Sequence, residues 1–370
     1  MSEYRNQHYV PQSYLRDWAT DERIFGLHLP SNREFNESIS DVCSRNYFYS
    51  VTAFLEKRFS KLESAHAQAF NKLRDGRSIR DMSRRDRRLL HSFVFTQRHR
   101  TKAMLDEIKG FGEEMWVDHV DVSPKEVDVD TDALVDFQEA RFEQNMKGIH
   151  QTMLPYGILS PFMIGDLELN LLCNETETGF LTSDAPVVFA NPRFRTEYDI
   201  RYAGMGKRGL QVYCPISPDL CLFIYDSAAY STDGKRRELL SLTADKDIKQ
   251  LNMLQILNAA SVVFYETTGQ EEEVASLRSK YQQYETTKHI PHEYEIDDGA
   301  SIKYESELSN PVHDLDPNLG PVHLMRNVDY GPRPTASEEK ARRYVHDLSS
   351  RANHSEAVIA TAIETLLSNA

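Results

Sequence analysis

The sequence predicts an α+β protein: a helical N-terminal half with a long helical hairpin, a β-rich second half and a helical C-terminal tail. Three observations predict it. Apolar residues recur at helical spacing from about residue 51 to about 155. From about 160 to 267 they gather in short runs rich in β-branched and aromatic residues, separated by Gly, Pro and Asp. Helical patterning returns from Ser337 to the end.

In chain order, Arg23 to Leu29 reads as a strand, Pro30-Ser31-Asn32 as a turn and Glu34 to Ile39 as a second strand, together a hairpin. Tyr47-Phe48-Tyr49 is a short packed aromatic run. From Val51 the period becomes helical: Leu55, Phe59, Leu62, His66, Ala69, Phe70 and Leu73 share one face, and Asp75-Gly76 ends the helix. Ser83 caps a second helix, whose apolar face runs from Leu89 to Ile108 and which ends near Gly110. The pair reads as an antiparallel hairpin. A third helix spans about Thr131 to Met153, stopped by Pro155 and Gly157. Strands follow at Leu167 to Cys173, Gly179 to Phe189, Gln211 to Cys214 and Leu220 to Tyr225. Thr243 caps a helix to about Ala260, Ser261 to Tyr265 is a strand, and Glu271 to about Tyr284 is a helix. Residues 1–287 therefore read as one α+β domain. Residues 288–335, rich in Pro, Asp and His, read as an extended segment, and 336–370 as C-terminal helices, 337–349 and 355–367.

Composition limits the functions open to this chain. Its 370 residues are 40% hydrophobic, with 17 Phe and 18 Tyr, which suffices for a packed core and excludes wholesale disorder. The net charge is −14, so the bulk surface repels phosphate backbones and nucleic acid needs a local basic strip. Cys43, Cys173, Cys214 and Cys221 are scattered without zinc spacing and suit a reducing cytosol. The opening Met1 to His8 carries no apolar leader, and no apolar run reaches membrane-spanning length, so a cytoplasmic protein without membrane contact is expected.

Several motifs occur together in order. His8-Tyr9-Val10-Pro11-Gln12-x-Tyr14-Leu15 opens the chain, Phe93-Val94-Phe95-Thr96-Gln97-x-x-Arg100-Thr101 lies in the second helix, and Phe180-Leu181-Thr182-Ser183-Asp184-Ala185-Pro186-Val187 lies in a strand region. Pro215-Ile216-Ser217-Pro218 and the Asn252 to Asn258 helix follow. Over residues 8–268 this set resembles domain-of-unknown-function family 4238. The chain departs from that pattern at Trp18, where Phe is usual, at Ala185, where Asn is common, and at Ile216 for Leu. The resemblance implies an architecture and a residue list, not a reaction.

Those residues supply the leading candidate site: catalytic His8, Gln12, Glu63 and Asp184, with Gln97, Arg100 and Ser183 binding substrate. Gln97 and Arg100 are three apart on a helix and share a face. In this reading His8 carries the proton, Glu63 and Asp184 orient it or hold Mg²⁺ or Mn²⁺, and Arg100 clamps a phosphate. The function that follows is an intracellular, prokaryote-type enzyme on a phosphate-containing substrate, a nuclease or phosphodiesterase. The structural reading stands beside it: Glu63–Arg100 as an ion pair, Asp184 capping its turn, His8 and Gln12 tying down the N-terminus. A non-enzymatic sensor or adaptor would then bind a partner protein through the acidic surface.

Three further patterns carry chemistry. Arg85 and His91 have the spacing of a HEPN-type ribonuclease. Arg77, Arg80, Arg84, Arg85, Arg87, Arg88, Arg98 and Arg100 form an Arg-rich strip suited to nucleic acid or a nucleotide, though such a run is usually a solvated helix face. Asp128, Asp130, Asp132, Asp136 and Glu139 match EF-hand calcium positions, but Ala133 stands where the loop wants Gly, and the acidic residues equally suit a first helical turn. His289, His292, His313 and His323 read as surface-loop histidines. Gly204 to Gly209 leaves too little chain for a phosphate-loop helix, and no nucleophile elbow occurs.

Overall fold

Leu220-Cys221-Leu222-Phe223-Ile224-Tyr225 is apolar at every position, so a strand there needs cover on both faces. The computed structural model supplies it. Leu220, Leu222 and Ile224 point into one buried cluster, and Cys221, Phe223 and Tyr225 into a second. The structure describes residues 6–48, 53–117, 131–162, 164–191, 206–233, 239–267, 270–281, 288–295, 301–308, 315, 317–326, 328 and 355–369.

The strands are β1 (Asn6–His8), β2 (Ala19–Thr20), β3 (Arg23–His28), β4 (Arg33–Ser38), β5 (Ser44–Asn46), β6 (Glu168–Asn174), β7 (Thr182–Ser183) and β8 (Val188–Ala190). Next come β9 (Gln211–Ser217), β10 (Leu220–Tyr225), β11 (Tyr230–Thr232), β12 (Leu239–Leu242), β13 (Val262–Tyr265), β14 (Lys288–Glu295), β15 (Ser301–Leu308) and β16 (Val322–Leu324). The helices are α1 (Gln12–Leu15), α2 (Ala53–Gly76), α3 (Arg84–Arg100), α4 (Lys102–Val117), α5 (Thr131–Leu159), α6 (Asp245–Asn258), α7 (Gln270–Tyr281) and α8 (Ser355–Asn369).

One sheet runs β12-β6-β10-β9-β8, with β12 parallel to β6 and the other pairs antiparallel. A second runs β2-β3-β13-β7, with β4 on the outer side of β3. The first cluster joins α2, α3, α5 and α8 to one face of the larger sheet, and the second packs α6 against its other face. Helix α8 enters the first cluster through Ile359, Ala362, Ile363 and Leu366.

Locally encoded features form as the sequence predicts. The β3–β4 hairpin pairs Arg23 with Ser38 through His28 with Arg33. All seven apolar-face residues of α2 are buried. Ser83 caps α3 by accepting from the Asp86 N–H at 3.0 Å. Lys72 meets Asp86 and Glu63 meets Arg100, which fixes α2 and α3 antiparallel.

Other expectations fail for physical reasons. The second helix does not run unbroken to Gly110: Thr101 is extended at ψ 161, and its hydroxyl accepts from the Met104 N–H to start α4. The third helix passes through Pro155 and Gly157 to Leu159. Gly157 is not a stop but a contact, since a Cβ there would lie 2.7 Å from the Phe95 carbonyl oxygen of α3. Gly179 to Phe189 is not one strand: β7 and β8 join different sheets, separated by the turn at Asp184. The N-cap of α6 is Ala244, not Thr243. Within the extended segment 288–335 the described residues add the β14–β15 hairpin and β16, which pairs with β11. Residues 131–139 are helical, which a calcium loop cannot be; 128–130 lie outside the described residues, as does the helix expected at 337–349.

Candidate functional site: a carbonyl clamp and an adjoining cleft

The spacing of Gln97 and Arg100 has a direct structural use. They stand on the last turns of α3 and reach two consecutive carbonyls of the N-terminal segment. Gln97 Nε2 donates to the Tyr9 carbonyl at 2.7 Å, and Arg100 Nη2 donates to the His8 carbonyl at 2.6 Å. Arg100 Nη1 lies 2.5 Å from Glu63 Oε1, and the guanidinium carbon sits 4.6 Å from the Phe59 ring centroid. The Arg100 side chain is 3% exposed and that of Glu63 26%. Residue β1–β5 pairing sets His8 opposite Ser44. The His8 ring is half-buried, its Nε2 3.1 Å from the Ser40 carbonyl and 3.2 Å from Gln12 Nε2. His8, Gln12, Glu63, Gln97 and Arg100 therefore converge.

Ser183 and Asp184 belong to a different construction. Ser183 Oγ donates to Gln255 Oε1 at 3.0 Å. Asp184 Oδ1 accepts from the Ala260 N–H at 2.9 Å, and the Asp184 N–H donates to the Val262 carbonyl at 3.0 Å. Along α6, Asn252, Gln255 and Asn258 recur every third residue. Asn252 holds the Leu181 N–H and the Gly179 carbonyl, Gln255 the Pro186 carbonyl, and Asn258 the Ala185 and Val187 carbonyls. This latch lets an irregular segment be buried without orphaning its peptide groups. Tyr14 and Trp18 add hydrogen bonds from the N-terminal segment, to Thr182 and the Pro215 carbonyl and to the Phe180 carbonyl respectively.

Glu63 is thus engaged by an arginine, and Asp184 by backbone amides in a separate turn, so the two carboxylates do not fit a shared Mg²⁺ or Mn²⁺. Among the described residues no three His, Cys, Asp or Glu side chains gather as metal ligands. Within the basic run, Arg77 pairs with Asp219, Arg98 with Glu107 and Arg100 with Glu63, while Arg88 donates to the Asn369 carbonyl and lies over Phe162. Arg85 is exposed and His91 half-buried on α3; six residues along a helix place them about 120° apart around its axis. Among the described residues no helix is long and apolar enough to cross a membrane.

Burial tunes the titratable groups nearby. It raises the Asp184 carboxyl to about 6, against the pull of the surrounding backbone amides. It lowers His8, assisted by the Arg100 charge, and lowers His66 to about 3, again with Arg100 contributing. His99 and His150 fall to about 4 because they are buried. His66, His99 and His150 are therefore neutral in the fold, whereas the unfolded chain protonates them below about pH 6.5. Their stabilisation is full above that pH and is lost as pH falls toward 4. Asp184 acts oppositely: its raised value favours the fold at low pH, and the benefit is lost as pH rises through about 6. Three histidines outweigh it even with Asp17, which burial likewise raises to about 6. The urea midpoint is expected to fall from pH 6.5 to 4, each excess proton weakening folding about tenfold per pH unit. Asp184→Asn, which removes one opposing group, steepens that fall; a flat profile in both proteins contradicts the assignment.

The clamp adjoins a cleft that sequence reasoning missed. It has a volume of about 430 Å³ and lies on one face of β4-β3-β13, walled by Tyr9 and by Asp41, Val42 and Cys43. Phe35 and Val262 floor it over the fully buried Phe264, and His28, Ser31, Arg33 and Glu37 lie along its edge. Cys43, at φ 52, takes the left-handed conformation and turns its carbonyl onto the Tyr9 N–H at 2.9 Å. The available signal was the alternation Arg33-x-Phe35-x-Glu37, which puts three side chains on one strand face.

No curated protein and no solved structure matches the chain. A family model described as "protein of unknown function (DUF4238)" matches residues 6–269, which hold both the clamp and the latch. That match spans most of the 370 residues, and the chain belongs to the DUF4238 family.

Proposed function

We propose that the chain is a non-enzymatic recognition protein, a sensor or adaptor, whose signature polar residues hold its fold. The observation that carries this reading is the engagement of Arg100: Nη1 goes to Glu63 and Nη2 to the His8 carbonyl, and the side chain is 3% exposed, which leaves little of the guanidinium for an incoming phosphate. Ser183 and Asp184 support it by serving backbone and helix partners.

A second reading, a nuclease or phosphodiesterase, is favoured by one feature. The His8 ring is half-exposed, neutral through burial and within the field of Glu63, as a proton carrier would be. Incubation with Mg²⁺ or Mn²⁺ and single-stranded DNA, RNA or a cyclic dinucleotide separates the two. The recognition reading predicts no hydrolysis. Hydrolysis that His8→Ala abolishes in a folded protein selects the enzyme.

A further inference from the structure

The cleft is polar at both ends and apolar between them. Strand register fixes the layout: His28 faces Arg33, Gly26 faces Phe35, and Ile24 faces Glu37. Arg33 and His28 thus stand together at the hairpin-turn end, where His28 Nδ1 is 2.7 Å from the Ser31 hydroxyl. Glu37 stands four residues along β4, near Asp41, whose N–H donates to the Ser38 carbonyl. At the strand rise this separates the basic and acidic ends by roughly 13 Å. Between them the Phe35 ring lies across Gly26, where a Cβ would come within 2.5 Å of Cζ, and meets Phe264 edge-on at 6.2 Å. Neither Arg33 nor Glu37 has a salt bridge or side-chain hydrogen bond among the described residues.

We infer that this cleft binds a short zwitterionic peptide of about three residues, with its carboxylate at Arg33, its ammonium at Glu37 and Asp41, and an apolar side chain over Phe35 and Val262. Dimensions and chemistry agree. Three extended residues span roughly 10 Å, which leaves contact distance at each end. The volume of about 430 Å³ falls in the range of small-ligand sites. A carboxylate suits a guanidinium that can donate two bonds, and a primary ammonium suits a pair of carboxylates. An aromatic floor adds affinity without selecting among apolar side chains, so the charged ends set the specificity.

This inference rests on the recognition reading and names what is recognised. The two fail separately: peptide binding is read by calorimetry, and hydrolysis of nucleic acid is read independently of it. The probe is Ala-Phe-Ala with free termini, titrated into the full chain beside its N-acetyl and C-amide forms. Saturable binding is expected, weakened at least tenfold by either block. Arg33→Met should weaken the free peptide about tenfold and erase the difference between acid and amide. Glu37→Gln should do the same for the free and acetylated amine. Both side chains are exposed on the edge strand, so folding is not at stake. No heat up to about 5 mM, a range that includes weak sites, overturns the inference. So does binding that is indifferent to both termini, or binding unchanged in both variants.

Discussion

Gly157→Ala lowers the stability of the protein by about 3 kcal/mol or more. The added Cβ would lie 2.7 Å from the Phe95 carbonyl oxygen and 2.9 Å from the Thr96 Cα, and neither atom can rotate away. Helices α3 and α5 must separate, which also strains the bond from Ser92 Oγ to the Ile158 carbonyl, now 3.1 Å. The loss reaches beyond that contact, because α3 carries Gln97 and Arg100 and thus the carbonyl clamp. Alanine's better helix propensity returns less than about 1 kcal/mol. Gly148→Ala is the matched control: it sits on the same helix, nothing lies within 4 Å of its added Cβ, and it should stabilise by roughly 0.5–1 kcal/mol. Denaturant midpoints of the two variants check both signs. Equal midpoints would mean that the helices do not touch at Gly157.

Arg100→Met costs about 2–4 kcal/mol. Methionine replaces the stem over Phe59 but donates nothing to the His8 carbonyl or to Glu63. The carbonyl loses a charged donor inside the fold. Glu63 keeps access to water at 26% side-chain exposure, which holds the cost below that of stranding a fully buried charge. The same substitution removes a positive charge that depresses His66, so the His66 ring should titrate higher, as NMR can follow. An Arg100 held in reserve for substrate would leave stability nearly unchanged when replaced.

Local physics made part of this legible in the sequence. The β3–β4 hairpin, the apolar face of α2 and the Ser83 cap depend on neighbours within a few residues, and each is read directly from period and capping chemistry. Gly157 was misleading because a helix stop and a close helix contact call for the same residue. The run from Gly179 to Phe189 splits because Asp184 and the α6 amides pin its backbone, and that latch spans about seventy residues of sequence.

The site was legible as a residue set but not as a construction. His8, Gln12, Glu63, Gln97 and Arg100 do meet, and their types suit proton transfer and phosphate binding. What distinguishes a clamp from a catalyst is the acceptor. Here that acceptor is a pair of main-chain carbonyls, which no side-chain motif encodes. The cleft was invisible for a related reason. Tyr9, the Arg33-to-Glu37 face, Cys43 and Phe264 come from separate segments and meet only through β-pairing and the Cys43 turn.

The claim that the signature residues are committed to the fold is tested most directly by a double-mutant cycle across Glu63 and Arg100. Urea unfolding at pH 7 is measured for wild type, Glu63→Gln, Arg100→Met and the double variant. The account predicts a large loss for Arg100→Met and a coupling of about 1 kcal/mol or more between the two sites. Wild-type stability in Arg100→Met with no coupling would contradict it, and would return the arginine to the solvent and to a substrate.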